Sequence, residues 1–216
     1  MLMKKERKLV REYGRKLITS GLTTGTGGNI SIYNPEKKLM VIKPSGIDYM
    51  KIEIEDIPVL DLDGNQVEGD KEPSSEYAMH RIFYKKRDDV RAVVHTHSTY
   101  STTISCLNWE IPAVHYLIAF SGLKVPIADY ATYGTLELAE NAYQAMGDNY
   151  NATLLANHGL LAVGNSIENA FAAAEEIEFC AELYYRTKAI GEPVILPEEE
   201  IKRVGKKFEN YGQSGV

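Results

Sequence analysis

Apolar positions along the chain fall into two periods. Leu9, Val10, Tyr13, Leu17 and Ile18 recur on one helical face, which predicts a helix over residues 3–20 that Gly21 ends. Short apolar runs follow, at Ile30 to Tyr33, Leu39 to Ile42 and Ile57 to Leu62, and each reads as a strand. Asp63-Gly64 closes the last as a hairpin turn. Pro73-Ser74-Ser75-Glu76 predicts a helix start with a Ser in the cap region, and that helix runs to about Lys86. Arg91 to His95 reads as a buried strand, residues 99–107 as helical, and Ala113 to Phe120 and Val125 to Ala128 as strand-like. Thr135 opens a helix to about Met146. Thr153 to Ala156 and Leu160 to Val163 read as two strands broken at Asn157-His158-Gly159. Ser166 caps a long helix to about Ile190, stopped by Gly191 and Pro193, and a last helix covers Glu198 to Tyr211. Strands cluster in the middle with helices around them, without strict βαβ alternation. The expected fold is α/β: one domain over 1–216, with a central mixed or antiparallel sheet between helices.

Composition narrows the class. With 24 Lys plus Arg against 30 Asp plus Glu, the net charge is 24 − 30 = −6, which argues against a nucleic-acid or membrane-surface partner while leaving room for a small anionic substrate. The basic start MLMKKERKLVREYG has no continuous apolar stretch and does not read as a signal peptide, and no window is apolar enough to span a bilayer. Cys106 and Cys180 make no disulfide framework and read as core residues of a protein from a reducing compartment, here the cytoplasm.

Chemistry concentrates in a few places. Of five histidines, His95 and His97 stand two apart at the end of an apolar strand, where both imidazoles face one side. His158, at the break between two strands, is the best third ligand for a catalytic metal, which takes three protein ligands and keeps an open position. Taken alone, a His-x-His pair is a weak signal. Glu76 reads by itself as a first-turn acid favouring the helix dipole; beside a metal it is a candidate general base. His80, four residues on, reads as structural. Three segments are rich in small donors: Gly25 to Asn29, Ser45-Gly46 and Ser74-Ser75. None fits a nucleotide-binding loop, and together they suggest a phosphate site built without obligatory Lys or Arg. Tyr116 could serve an oxyanion, though among 14 tyrosines chemistry alone does not select it.

The ordered motifs GTGGNIS, KPSGIDY, PSSE, VVHTHS, IPAVHY, YATYGT and LLANHGLLA resemble the zinc-dependent class II aldolase/epimerase family, from Leu17 to about Tyr211. The resemblance implies Zn2+ held by His95, His97 and His158, with Glu76 as acid/base that also approaches the metal. It implies substrate phosphate on Thr26, Asn29, Ser45, Gly46, Ser74 and Ser75, and Tyr116 reaching the active site of a neighbouring subunit in a homotetramer. Tyr133 stands at an aromatic wall position that is Phe in one similar aldolase, and Tyr211 matches a tail tyrosine that helps cover the site. The implied reaction is reversible cleavage of L-fuculose 1-phosphate to dihydroxyacetone phosphate and L-lactaldehyde. An L-ribulose-5-phosphate 4-epimerase, another sugar-phosphate aldolase or dehydratase, and an adducin-head-like interaction module remain as alternatives. The epimerase branch carries Asp at the place of Glu76, and the interaction modules lack the histidines.

Overall fold

In a computed structural model, residues 1–208 are described; Tyr211 and the tail beyond it lie outside them. The predicted strands pair into one sheet. Its strands are β1 (Asn29–Asn34), β2 (Leu39–Ile42), β3 (Val59–Asp61), β4 (Gln66–Glu68), β5 (Ala92–Thr96), β6 (Ile127–Ala128), β7 (Ala152–Leu155) and β8 (Gly159–Gly164). Their order is β4-β3-β2-β1-β5-β8-β7-β6, and every neighbouring pair is antiparallel except β6–β7. The helices are α1 (Lys4–Thr19), α2 (Tyr77–Lys86), α3 (Thr99–Cys106), α4 (Leu136–Met146), α5 (Ile167–Ile190) and α6 (Glu198–Phe208).

The period-2 alternation of the strands splits the core in two. Ala92, Val94, Leu160 and Ala162 point to a face packed by residues of α1, α3 and α5, such as Val10, Leu17, Ile104, Ile177 and Ala181. Val93, Leu161 and Val163 point the other way, to Met79 and Phe83 of α2 and Leu138 and Ala142 of α4. Because both faces are covered, β5 reads as an unbroken apolar run. His95 shares the parity of Val93, so its ring falls on the α2 side, beside Glu76 and His80.

Several expectations change. Ala113 to Phe120 is not a strand: Tyr116–Phe120 is a 3₁₀ turn, its first bond running from the Ile118 amide to the His115 carbonyl. The apolar run reads as extended, but Pro112 precedes it and the segment's one sheet-like pairing, Ile111 with Val125, comes before it. Helix α2 starts at Tyr77, so Glu76 is its N-cap residue, and the Glu76 carboxylate makes no cap bond. Cys180 is buried as expected, whereas Cys106, at the end of α3, is exposed.

Close approach fixes two glycines at the strand ends that carry the histidines. A Cβ on Gly28, whose φ is +65°, would lie 2.6 Å from the His95 carbonyl oxygen, and one on Gly159 would lie 2.3 Å from that of Thr96. Gly159→Ala must therefore push β8 from β5. The expected cost is about 1–3 kcal/mol, read as a lowered denaturation midpoint; an unchanged midpoint would show that the strands part freely.

Candidate active site

β5 carries His95 to its end and His97 just beyond. Across the sheet, the β7–β8 turn bends at Asn157, whose φ of +54° is left-handed, and this brings His158 to the same place. The Nε2 atoms of His95 and His97 are 3.0 Å apart, and those of His95 and His158 are 3.2 Å apart. The His95 Nδ1–H donates to the Leu160 carbonyl over 2.9 Å, so its Nε2 lone pair faces the other two rings. Glu76 Oε2 is 3.4 Å from His95 Nε2, and Glu76 Oε1 is 3.4 Å from His158 Nε2.

This donor set fits a metal ion. The four ligand atoms lie within 4.8 Å of one another. Tetrahedral ligands at zinc-type bond lengths of about 2.0–2.1 Å stand about 3.4 Å apart, close to the separations above. Glu76 Oε1 is buried without a hydrogen-bond partner, an orphan that a cation would satisfy. Burial pushes the imidazoles of His95, His97 and His158 below the ordinary histidine range, His95 furthest, with the neighbouring rings adding to the effect on His95. Neutral imidazole is the form that ligates.

The phosphate-type segments also meet. Ser74 N–H donates to the Lys43 carbonyl and Ser45 N–H to the Glu72 carbonyl, which sets Ser45-Gly46 beside Ser74-Ser75. The Ser74 hydroxyl accepts from the Glu76 amide at 3.3 Å. Thr26 joins them through its carbonyl, which accepts from Lys43 Nζ at 3.0 Å. The glycine loop is held by Tyr49, whose hydroxyl donates to the Gly28 carbonyl at 2.9 Å. Asn29 is placed differently from a simple phosphate donor: its Nδ2 donates to Glu76 Oε2 at 2.8 Å. Tyr133 is exposed on a loop whose Gly134 lies against the Ser75 carbonyl. Tyr116 sits apart, 46 % exposed, with its ring against His115 and Phe208. Nothing described links it to His95, His97 or His158 of its own chain.

Two side chains beside the site escaped the sequence reading. Lys43 is buried at the end of β2, and burial pulls its pKa down to about 8. A lysine closing an otherwise apolar strand was the available signal. Glu178 of α5 accepts from the Ser98 hydroxyl and from the amides of Tyr100 and Ser101, at 2.7, 2.7 and 2.9 Å. It thereby caps α3 and pins the Thr96-His97-Ser98 segment from 80 residues away in sequence. No local pattern reveals that contact.

A buried carboxylate facing three convergent imidazoles, at the end of a mostly antiparallel sheet and beside small-donor loops, is the layout of a metal-assisted lyase site. The chain belongs to the family described as Class II Aldolase and Adducin N-terminal domain, which it matches over residues 8–185. It is 56% identical over 213 residues (99% of this chain and 100% of the relative) to a protein of Bacillus thuringiensis serovar kurstaki named 5-deoxy-D-ribulose 1-phosphate aldolase. Identity to the L-fuculose phosphate aldolase of Escherichia coli (strain K12) is 45% over 194 residues, 89% of this chain and 88% of the relative. A solved structure named L-fuculose 1-phosphate aldolase superposes with a TM-score of 0.94 at 49% identity, covering 97% of this chain and 98% of that one. These enzymes are lyases. Among the described residues, no helix is long and apolar enough to cross a membrane.

Proposed function

We propose that the chain splits a 1-phosphorylated deoxyketose between C3 and C4, with 5-deoxy-D-ribulose 1-phosphate as its main substrate and dihydroxyacetone phosphate and acetaldehyde as products. The observation that carries the reaction is the orphaned Glu76 Oε1 facing three imidazole nitrogens. The choice of sugar rests on 56% identity over 99% of the chain, against 45% over 89% for the L-fuculose phosphate enzyme. L-Fuculose 1-phosphate, which would give L-lactaldehyde, is the second reading, favoured by the TM-score of 0.94. Both sugars share the half that becomes dihydroxyacetone phosphate and differ in the aldehyde half. The test is kcat/KM for each on one preparation; a higher value for L-fuculose 1-phosphate would reverse the order. Conversion of L-ribulose 5-phosphate to its 4-epimer, without aldehyde release, would move the chain to the epimerase branch. With all three histidines and Glu76 in place, the site is not stripped as in an interaction module.

His95, His97 and His158 would hold the ion, with Glu76 alongside; three imidazole nitrogens and a carboxylate suit Zn2+. Bound there, the cation supplies Lewis-acid polarisation of the substrate carbonyl. Thr26, Ser45, Gly46, Ser74 and Ser75 hold the phosphate and so orient the ketose. Asn29 borders this site and also steadies Glu76. As the C3–C4 bond breaks, its electron pair stays with C3, and Glu76 delivers the proton that C3 takes up. The C4 oxygen gives up its proton to solvent as it becomes the aldehyde, hydrogen-bonded by Tyr116 of the partner subunit, and Glu76 takes from solvent the proton that it delivers to C3, so the proton count balances. The exposure of Tyr116 in the single chain supports that placement, and a cytoplasmic homotetramer with sites between subunits is the assembly we infer. Tyr133 borders the aldehyde pocket.

Lys43 extends the phosphate site with a cation. Below pH about 8 its ammonium is charged and attracts the dianionic phosphate; above it the charge is lost. The kcat/KM profile, which reports the free protein, should therefore fall above pH about 8. Lys43→Met should remove that fall and raise KM about tenfold, an electrostatic contribution on the order of 1.4 kcal/mol. A Lys43→Met profile identical to the parent's would remove Lys43 from the site.

A further inference from the structure

Beneath Glu76 runs a chain of buried polar groups that the proposed reaction does not use directly. The Ser31 hydroxyl lies 2.6 Å from the Tyr84 hydroxyl and 2.7 Å from His80 Nδ1. His80 Nε2 lies against Asn29 Oδ1, and Asn29 Nδ2 lies 2.8 Å from Glu76 Oε2. His80 and Ser31 are fully buried, and Asn29 is 3 % exposed. These groups come from β1 and α2, elements that meet only through the fold.

Donor and acceptor chemistry gives this chain one direction. An ionised carboxylate only accepts, so the Asn29 amide must turn its NH2 to Glu76 and its oxygen to His80. That oxygen also only accepts, so His80 must carry its proton on Nε2. A neutral ring then has a bare Nδ1, so Ser31 donates to it, and the Ser31 oxygen is left to accept from Tyr84. Reversing any one link leaves a donor facing a donor, or two acceptors in contact, in a dry interior. Burial keeps His80 neutral, its pKa driven down to about 3 despite the nearby carboxylate.

We propose that His80, oriented by Ser31 and Tyr84, is a positioning residue that locks the Asn29 amide and so aims Glu76 at the three-histidine cluster. The inference rests on the proposed acid/base role of Glu76. It assigns a task to a histidine whose hydrogen bonds go to Ser31 and Asn29 and not to the metal ligands. A conserved-shape filler would need none of the four matched links; a relay needs all of them.

The test has a spectroscopic arm and a kinetic arm. Long-range 1H–15N correlation spectra of the unaltered, metal-free chain should show His80 with Nε2 protonated and Nδ1 bare from pH 5.5 to 8 on the order of the usual histidine titration range. The Nδ1–H tautomer would overturn the relay. In His80→Gln the side-chain amide still donates to Asn29; in His80→Leu it cannot. With saturating Zn2+, His80→Leu should lose about 10–100-fold in kcat, with KM within about twofold, and His80→Gln should recover to within about fivefold of the parent. Zn2+ affinity, read by chelator competition, should fall in His80→Leu and return in His80→Gln. A merely structural role predicts equal damage in the two variants, or a parent-like kcat in the folded Leu variant, and either result overturns the proposal. If His80→Leu does not fold, Ser31→Ala takes its place, with an expected loss of about tenfold in kcat, and a parent-like kcat there overturns the relay. If the unaltered chain cleaves no sugar phosphate, the aldolase reading fails instead, and the tautomer and Zn2+ affinity still decide the relay.

Discussion

Glu76→Gln should keep the fold and the bound metal while losing about 10²–10⁴-fold in kcat, the range for removal of a positioned acid/base. Glutamine preserves the length of the side chain, and its oxygen still accepts from Asn29 Nδ2, so the local packing survives. What disappears is the group that carries a proton. Because the phosphate contacts are untouched, KM should stay within a few-fold of the parent, the signature of an interaction made in the transition state. Steady-state kinetics paired with metal analysis check this. Turnover at the parent rate with metal bound would remove Glu76 from the proton transfer.

His158→Ala should be nearly as damaging for a different reason. His158 occupies a turn between β7 and β8 and is not itself in the β5–β8 ladder, so the sheet should hold without it. The cation would lose one of three nitrogens. A Lewis-acid contribution of several kcal/mol corresponds to about 10³-fold or more in turnover. Zn2+ affinity should drop in parallel, with the denaturation midpoint of the metal-free protein little changed. His95→Ala should add a loss of metal-free stability, because His95 is fully buried and its removal leaves the Leu160 carbonyl without its donor. A metal-free midpoint lowered equally in both variants would show that His158 also supports the fold.

Much of the site is legible from local pattern. His95 and His97 converge because strand side chains repeat every two residues, and His158 could be placed because Asn157-His158-Gly159 interrupts two apolar runs. The two-sided sheet follows from continuous apolar strands between amphipathic helices. Other parts depend on contacts between distant segments. Glu76 looks like an ordinary first-turn acid until the fold sets it 3.4 Å from two imidazoles. The pairing of residues 43–45 with 72–74, which assembles the phosphate-type donors, leaves no periodic trace. Neither does Glu178 reaching across to Ser98. The segment Ala113 to Phe120 misleads for the opposite reason: its residues suit a strand, but the backbone closes its own short-range bonds and the ring of Tyr116 stays outside the core.

The most direct test of the account is dihydroxyacetone phosphate release from 5-deoxy-D-ribulose 1-phosphate by metal-replete protein, followed before chelation, after chelation and after Zn2+ is returned. Release that stops with the chelator and resumes with Zn2+ is the predicted result, because the carboxylate and three histidines are read as one metal-dependent cleavage centre. Release that continues undiminished in the chelated protein would contradict it.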